Sequence, residues 1–217
     1  MERARMMRAL GAEVVLVPQG PGAVKGEVSG GDLELVEQET HRLLLERGAF
    51  RADQFQLDSS YLAHYRHTAV EILEQTDGKF DCFLDFVGSG GTFEGCAQRF
   101  KETDPRIRCY VVEPENAAVY AGHPLLNEGR HKIQGCGYAR DLSKVNRAYI
   151  DGCVQVTDAD ACQMARDLAR YEGAFVGISA GANVSAAVQL LRGREKGSAI
   201  VLTLNDSGLK YLSTDLF

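Results

Sequence analysis

The residues in this sequence best suited to holding an anion are five consecutive small ones, Gly88-Ser89-Gly90-Gly91-Thr92. They follow an apolar run, Phe80–Val87, and precede apolar residues spaced as on one face of a helix. A helix N-terminus leaves about four backbone N–H groups unpaired and is locally positive. Glycines let the backbone close around an anion with no Cβ in the way. The stretch therefore predicts either a phosphate site made of main-chain amides or a tight turn between buried elements.

A second candidate is Ser179, which lies in Gly177-Ile178-Ser179-Ala180-Gly181 and matches the G-x-S-x-G pattern of serine hydrolases. That fold places its acid and then its histidine after the serine. Here the five histidines, at 41, 64, 67, 123 and 131, all precede Ser179. The order of the residues therefore argues against a hydrolase.

A dinucleotide site is the next alternative for the glycine stretch. The G-x-G-x-x-G fingerprint needs a glycine at position 93, which is Phe93, and no Gly-Lys-Ser/Thr follows as in a P-loop. Glu113 ends the next predicted strand, where a ribose-binding acid would lie, and it is equally compatible with a solvated strand end. The missing third glycine disfavours this interpretation.

Pyridoxal phosphate is the third possibility, because it has one phosphate, a ring nitrogen that needs a partner, and an aldehyde that needs a lysine. The turn at Gly88 suits the phosphate, and Ser179, at the end of a second predicted strand, suits the ring nitrogen. A lysine in a matching setting is not evident in the sequence.

The elements that would position these residues alternate between helical and β-type patterns. Predicted helices cover 2–10, 33–47 (capped by Asp32), 61–75, 93–100, 158–171 (capped by Asp158) and 182–191, and predicted strands cover 12–17, 80–87, 107–113, 154–156, 174–178 and 199–204. The pattern predicts an α/β fold with an open, mostly parallel sheet and helices on both faces, whose ligand lies beyond the carboxyl ends of the strands. The stretch 116–152 reads as a long irregular segment, a type that is often functional.

Composition narrows the class of protein. A net charge of −6 over 217 residues disfavours nucleic-acid binding, and no apolar run approaches the length of a membrane helix. The first five residues lack the apolar segment of a secretory signal. The six cysteines form no C-x-x-C pair, and most lie in apolar segments. Buried free thiols in a cytoplasmic protein, with no metal site, are therefore expected.

Several motifs together resemble the cysteine synthase (O-acetylserine sulfhydrylase) and cystathionine β-synthase group of fold type II pyridoxal-phosphate enzymes. They occur in the family's order and span essentially the whole chain: VGSGGTFEG, YVVEPENAAV, HKIQGCG, EGAFVGISAGANVSAA and LNDSGLKYLSTDLF. The resemblance implies the tryptophan synthase β-like fold. It places the cofactor phosphate on residues 88–92, the ring nitrogen at Ser179 and the substrate near Gln54 and Gly135.

The same resemblance implies a β-replacement reaction, in which O-acetylserine or a related serine derivative and sulfide give cysteine, and a homodimeric enzyme. A neutral hydroxyl at the ring nitrogen does not enforce a protonated ring, which favours replacement at Cβ. Residues 1–55 would then be the remnant of a small N-terminal domain, and residues 56–217 the large cofactor-binding domain.

Some of the family's features are missing. The S-x-K-D-R segment that carries the Schiff-base lysine does not occur, and the resemblance places that lysine upstream of Met1. The family's QFxNPxN and TTGPE motifs are also altered near the substrate side. We therefore expect the chain alone to be inactive. The alternatives are a catalytically dead fragment that acts as a binding partner, or another fold type II lyase such as a serine dehydratase or a cystathionine β-synthase-like enzyme.

Overall fold

Four parallel strands form the centre of the molecule in the computed structural model, which describes residues 2–21 and 30–217. The strands are β1 (Cys82–Phe86), β2 (Arg108–Pro114), β3 (Gly152–Val156) and β4 (Ile200–Leu202), arranged in the order β3-β2-β1-β4. Leu84 of β1 is aligned with Tyr110 of β2 and with Leu202 of β4. The predicted open parallel sheet is confirmed.

Helices cover both faces of this sheet. Their bounds are α1 Glu2–Ala9, α2 Gly30–Arg47, α3 Ser59–Ala63, α4 Ala69–Gln75, α5 Gly91–Thr103, α6 Asp158–Tyr171 and α7 Ile178–Arg192. A π-helical turn, His64–Thr68, joins α3 to α4, so that residues 59–75 run as one continuous helix, close to the predicted 61–75. Short 3₁₀ turns interrupt the irregular stretch after β2, as the sequence predicts.

Alternate residues of the strands supply two separate apolar cores. On one face, Leu84 and Val112 pack with α6 and α7. On the other face, Phe83 and Val111 pack with the aromatic side of α5, including Phe93. Every residue of β1 is buried, as expected for the central strand of a sheet that is covered on both sides. The carboxyl end of β1 therefore lies between α5, on one face of the sheet, and α7, on the other.

Two predicted strands are wrong. The segment 12–17 forms no strand, because no neighbour among the described residues supplies the hydrogen bonds of a ladder, and Val15 and Leu16 are exposed. The segment 174–178 makes a single antiparallel bridge, between Val176 and Ser207, and α7 begins at Ile178 instead of position 182. Ser179 is consequently a residue of the first helical turn.

Two predicted caps differ as well. Thr157, not Asp158, caps α6, and its hydroxyl accepts the N–H of Asp160. Asp32 lies inside the first turn of α2, and its carboxylate accepts the N–H of Gly20 at 2.8 Å. Residues 22–29, which precede α2, lie outside the described residues. Within the described ranges, no helix combines the length and the apolar character needed to cross a bilayer.

Candidate functional site

A cleft of about 240 Å³ opens at the carboxyl end of β1, between the first turns of α5 and α7. The eight residues predicted from the sequence to form the site all line it: Gly88, Ser89, Gly90, Gly91, Thr92, Ser179, Gln54 and Gly135. The structure thus brings together residues separated by 125 positions, from 54 to 179. Seven further lining residues were not predicted as site residues: Asp85, Phe86, Gln134, Cys136, Asn205, Asp206 and Tyr211.

The glycine stretch forms the α5 end of the cleft. Gly90 has φ +87°, a conformation that favours glycine, and a Cβ there would lie 2.3 Å from Val145 Cγ2. A Cβ on Gly91 would lie 2.2 Å from Ser60 Oγ. The first helical N–H to find a partner is that of Glu94, which donates to Gly90 O at 2.9 Å. The N–H groups of residues 89–93 donate to no acceptor in the described part of the chain.

These free amides give the α5 end an affinity for negative charge. The peptide dipoles of α5 point their positive end at the same place. No lysine, arginine or histidine is among the described residues that line the cleft. An anion at residues 88–92 would therefore be held by neutral main-chain donors and hydroxyls.

The α7 end of the cleft carries Ser179, which is buried two residues after the N-cap Gly177. The N–H of Gly177 donates to Asp206 O at 3.0 Å. The Oδ1 atom of Asp206 is buried and accepts no hydrogen bond within the described residues, whereas its Oδ2 accepts the Tyr211 hydroxyl at 3.1 Å. This end of the cleft therefore combines a hydroxyl with a carboxylate that still has a free acceptor.

Asp85 lies at the floor of the cleft and is almost fully buried. Its carboxylate accepts hydrogen bonds from the Thr203 hydroxyl, from Asn205 Nδ2 at 3.3 Å and from Asn183 Nδ2 at 3.4 Å. Burial raises the pKa of Asp85 to about 6, and these hydrogen bonds oppose the rise. A carboxyl group that titrates near neutrality is a common component of ligand sites.

The two substrate-side predictions, Gln54 and Gly135, lie on tightly held turns. The turn at Gln54 is fixed by Asp53, whose side chain accepts the N–H of Phe55 at 2.9 Å. Gly135 has φ +82°, and two residues later Gly137 donates its N–H to Val87 O at 3.1 Å. This hydrogen bond attaches residues 135–137 to the end of β1, where Gly135 and Cys136 lie against Gly88.

Comparison with known proteins identifies the class of site. The family described as pyridoxal-phosphate dependent enzymes matches residues 1–206 of the 217. The chain belongs to this family. Pyridoxal phosphate is the cofactor of these enzymes, and the cleft has the matching chemistry, with unpaired amides for a phosphate at one end and polar acceptors for a ring nitrogen at the other.

Relatives within the family include cysteine synthases and an O-ureido-L-serine synthase. Cysteine synthase 3 of Caenorhabditis elegans is 39% identical over 218 residues, which cover all of this chain and 61% of the relative. Cysteine synthase of Staphylococcus aureus is 35% identical and is covered over 66% of its length. The crystal structure of O-ureido-L-serine synthase superposes with a TM-score of 0.84 at 34% identity, covering all of this chain and 65% of that one. The chain therefore spans somewhat less than two thirds of these pyridoxal-phosphate enzymes.

A lysine is the component of a pyridoxal-phosphate site that the cleft does not supply. None of the lysines in the described ranges lines it, and Lys25 falls outside those ranges. Lys210 comes near through an ion pair with Asp206 Oδ2 at 3.6 Å, and Lys132 pairs with Asp215 at 2.6 Å on the surface. These two lysines are therefore engaged in ion pairs with neighbouring carboxylates.

Glu113, considered above as a ribose-binding acid or a solvated strand end, has neither environment. It is buried, and its carboxylate accepts the N–H groups of Tyr120 at 2.8 Å and Ala121 at 3.0 Å. Burial raises the pKa of Glu113, and these hydrogen bonds oppose the rise. Its observed contacts anchor the irregular segment that follows β2.

The six cysteines are free thiols, four of them buried, as predicted.

Proposed function

We propose that this chain is the cofactor-phosphate-binding part of a cysteine synthase-like enzyme. The observation that carries the proposal is one cleft in which the free amides of residues 89–92 face one end and Ser179 the other. A cofactor with a dianionic phosphate on one side of a pyridine ring and a nitrogen on the other fits this distribution of donors and acceptors. Bound there, the cofactor would supply an electron sink for chemistry at the Cα and Cβ atoms of an amino acid.

Each group of lining residues has a separate role in this proposal. The amides of residues 89–92 bind the phosphate, and the Ser179 hydroxyl orients the ring nitrogen. Gln54 and the segment around Gly135 bind the amino-acid carboxylate at the mouth of the cleft. Burial raises the pKa of Asp85 to about 6, so its carboxyl can hold a proton near neutral pH beside the neutral hydroxyl of Ser179.

The reaction of the whole protein follows from the relatives. We propose β-replacement on O-acetylserine or a related serine derivative by sulfide, in a homodimer located in the cytoplasm. Residues 1–55 would belong to a second, smaller domain and residues 56–217 to the large domain. The exposure of apolar residues on α2, such as Val36 and Leu45, supports an incomplete first domain. Because no lysine of the described residues lines the cleft, we propose that the chain alone binds cofactor without turning over.

Isothermal titration with pyridoxine 5′-phosphate tests the binding function, because this compound keeps the phosphate and ring but cannot react with lysines. We expect one site per chain, lost in Gly90→Val and retained in Gly122→Ala, whose residue has φ +73° and open space around it. Equal binding by Gly90→Val, or no binding by the unaltered chain, would contradict the proposal. In a parallel assay, cysteine formation from O-acetylserine and sulfide above the rate of free pyridoxal phosphate would overturn the proposed lack of turnover.

A further inference from the structure

His64 links two threonine hydroxyls through its two ring nitrogens, and we call these three residues the relay. Its Nε2 atom lies 3.3 Å from the hydroxyl oxygen of Thr92, the last residue of that stretch. Its Nδ1 atom lies 3.0 Å from the hydroxyl oxygen of Thr68. The relay therefore runs from Thr68 through the imidazole to a residue that lines the cleft.

The fold holds the imidazole close to α5 for a local reason. His64 begins the π-helical turn between α3 and α4, and this turn packs directly on α5 at Gly95. A Cβ on Gly95 would lie 2.2 Å from Tyr61 O and 2.9 Å from the Cβ of His64. The absence of a side chain at Gly95 lets the two helices approach, one turn beyond Thr92. A π turn inserted in an α-helix is frequently found at functional sites.

The direction of the protons in the relay decides what Thr92 presents to an anion. Burial lowers the pKa of His64, which favours the neutral ring with one N–H and one acceptor nitrogen. Among the described residues, the only hydrogen-bond partner of the Thr68 hydroxyl is His64 Nδ1. If the Thr68 proton is given to Nδ1, the ring carries its own proton on Nε2 and donates it to Thr92.

In that tautomer the Thr92 oxygen accepts from the imidazole, so its own proton is free to point into the cleft. In the opposite tautomer the Thr92 proton would be given to Nε2, and only lone pairs would face the anion, which repels them. Of the two arrangements, only the first makes Thr92 a donor to a phosphate. A Thr68 hydroxyl that donates to Nδ1 fixes this arrangement, because the accepting Nδ1 then carries no proton of its own.

We propose that Thr68 and His64 orient the Thr92 hydroxyl proton toward the cofactor phosphate, which makes His64 a positioning residue for phosphate binding. The inference rests on the proposed function, since it requires the phosphate to bind at residues 88–92. It adds two residues, separated from Thr92 by 24 or more positions, to the group that determines affinity.

Affinity for pyridoxine 5′-phosphate, measured by titration calorimetry, tests the relay. His64→Leu removes the donor to Thr92, and one hydrogen bond to a charged acceptor corresponds to an affinity loss of about tenfold or more. His64→Gln keeps an N–H donor and should stay within about threefold of the unaltered chain, on the same hydrogen-bond scale. His67→Leu is the matched control, because His67 is an exposed histidine of the same π turn and should bind normally.

A double-mutant cycle separates positioning from a general structural effect. In a Thr92→Val background the hydroxyl is absent, so His64→Leu should cause no further loss of affinity. A loss of the same size in both backgrounds would overturn the proposal, because it would show that His64 acts on something other than Thr92. Thr68→Val provides a second route if His64→Leu does not fold, and it should weaken binding several-fold on the scale of one hydrogen bond.

Imidazole nitrogen chemical shifts give a readout that packing alone would not produce. Nitrogen-15 NMR should show His64 with its proton on Nε2, and Thr68→Val should reduce that preference. A proton on Nδ1 in the unaltered chain would overturn the proposal. If Gly90→Val abolishes binding while His64→Leu binds normally, the proposed role of the relay is wrong and the proposed phosphate site is retained. If the unaltered chain does not bind, both fail together.

Discussion

Replacing Gly90 by alanine isolates the reason for a glycine at the start of α5. The residue has φ +87°, and an added Cβ would meet Val145 Cγ2 at 2.3 Å. The left-handed conformation alone costs a residue with a side chain roughly 1–2 kcal/mol. Overpacking against a buried, β-branched valine adds about 1–3 kcal/mol, because Val145 has little rotamer freedom with which to move away. We therefore expect Gly90→Ala to lower the free energy of unfolding by about 2–5 kcal/mol.

Gly122→Ala is the matched control for this prediction. Gly122 has a similar φ, +73°, but a Cβ added there would find no other atom within 4 Å. It should lose only the conformational part, roughly 1–2 kcal/mol. Urea unfolding followed by circular dichroism measures both variants. Pairing Gly90→Ala with Val145→Ala should restore part of the loss, giving a favourable coupling energy.

The reasoning is refuted if Gly90→Ala and Gly122→Ala lose the same stability, or if Val145→Ala shows no coupling to Gly90→Ala. Either result would mean that the backbone at Gly90 relaxes without contact with Val145. The same three proteins also report on function. Gly90→Ala should weaken binding of pyridoxine 5′-phosphate, because the shifted backbone moves the amides of residues 89–92, whereas Gly122→Ala should bind normally.

Two further predictions concern buried carboxylates. Glu195 pairs with Arg108 at 2.6 Å and accepts the Tyr110 hydroxyl, and the Arg108 hydrogen bond is the main reason that its pKa is lowered to about 2. Glu195→Gln should lower the free energy of unfolding, measured with urea at pH 7, by about 3 kcal/mol. The unaltered chain should lose stability as pH falls from about 4.5 toward 2, and the variant should lose less over the same range. An unchanged free energy of unfolding would refute the role of the pair. Asp85, with its pKa raised from 3.8 to about 6, holds a proton that the unfolded chain releases first, so the free energy of unfolding should fall by about 3 kcal/mol as pH rises from about 3 to about 7. Asp85→Asn should flatten this fall, and an unaltered pH profile would contradict the assignment.

The parts of the site that sequence reasoning predicts are those carried by local motifs. Residues 88–92 follow an apolar strand and open a helix, so their free amides follow from the chain direction alone. The family resemblance assigns Ser179, and the structure places it on the same cleft although α7 starts earlier than predicted. The parallel sheet follows from the alternation of helical and β-branched segments.

The parts that could not be predicted depend on contacts between distant residues. His64 and Thr92 are 28 positions apart, and nothing in either segment specifies the π turn that brings them together. In the sequence, Asp85 is one residue of an apolar strand, and nothing local marks it as part of a site. Its environment comes from hydrogen bonds with Thr203 and Asn205, which are 118 and 120 positions away. The segment 12–17 has the composition of a strand, but a strand also needs a partner, and the sequence of the segment does not supply one.

The measurement that tests the account most directly is an amide nitrogen-15 NMR titration comparing pyridoxine 5′-phosphate with inorganic phosphate. The account predicts that both ligands shift the amide signals of residues 89–92, and that only the ring-bearing ligand also shifts that of Ser179. The account is contradicted if pyridoxine 5′-phosphate leaves residues 89–92 unchanged, or if it moves them without moving Ser179.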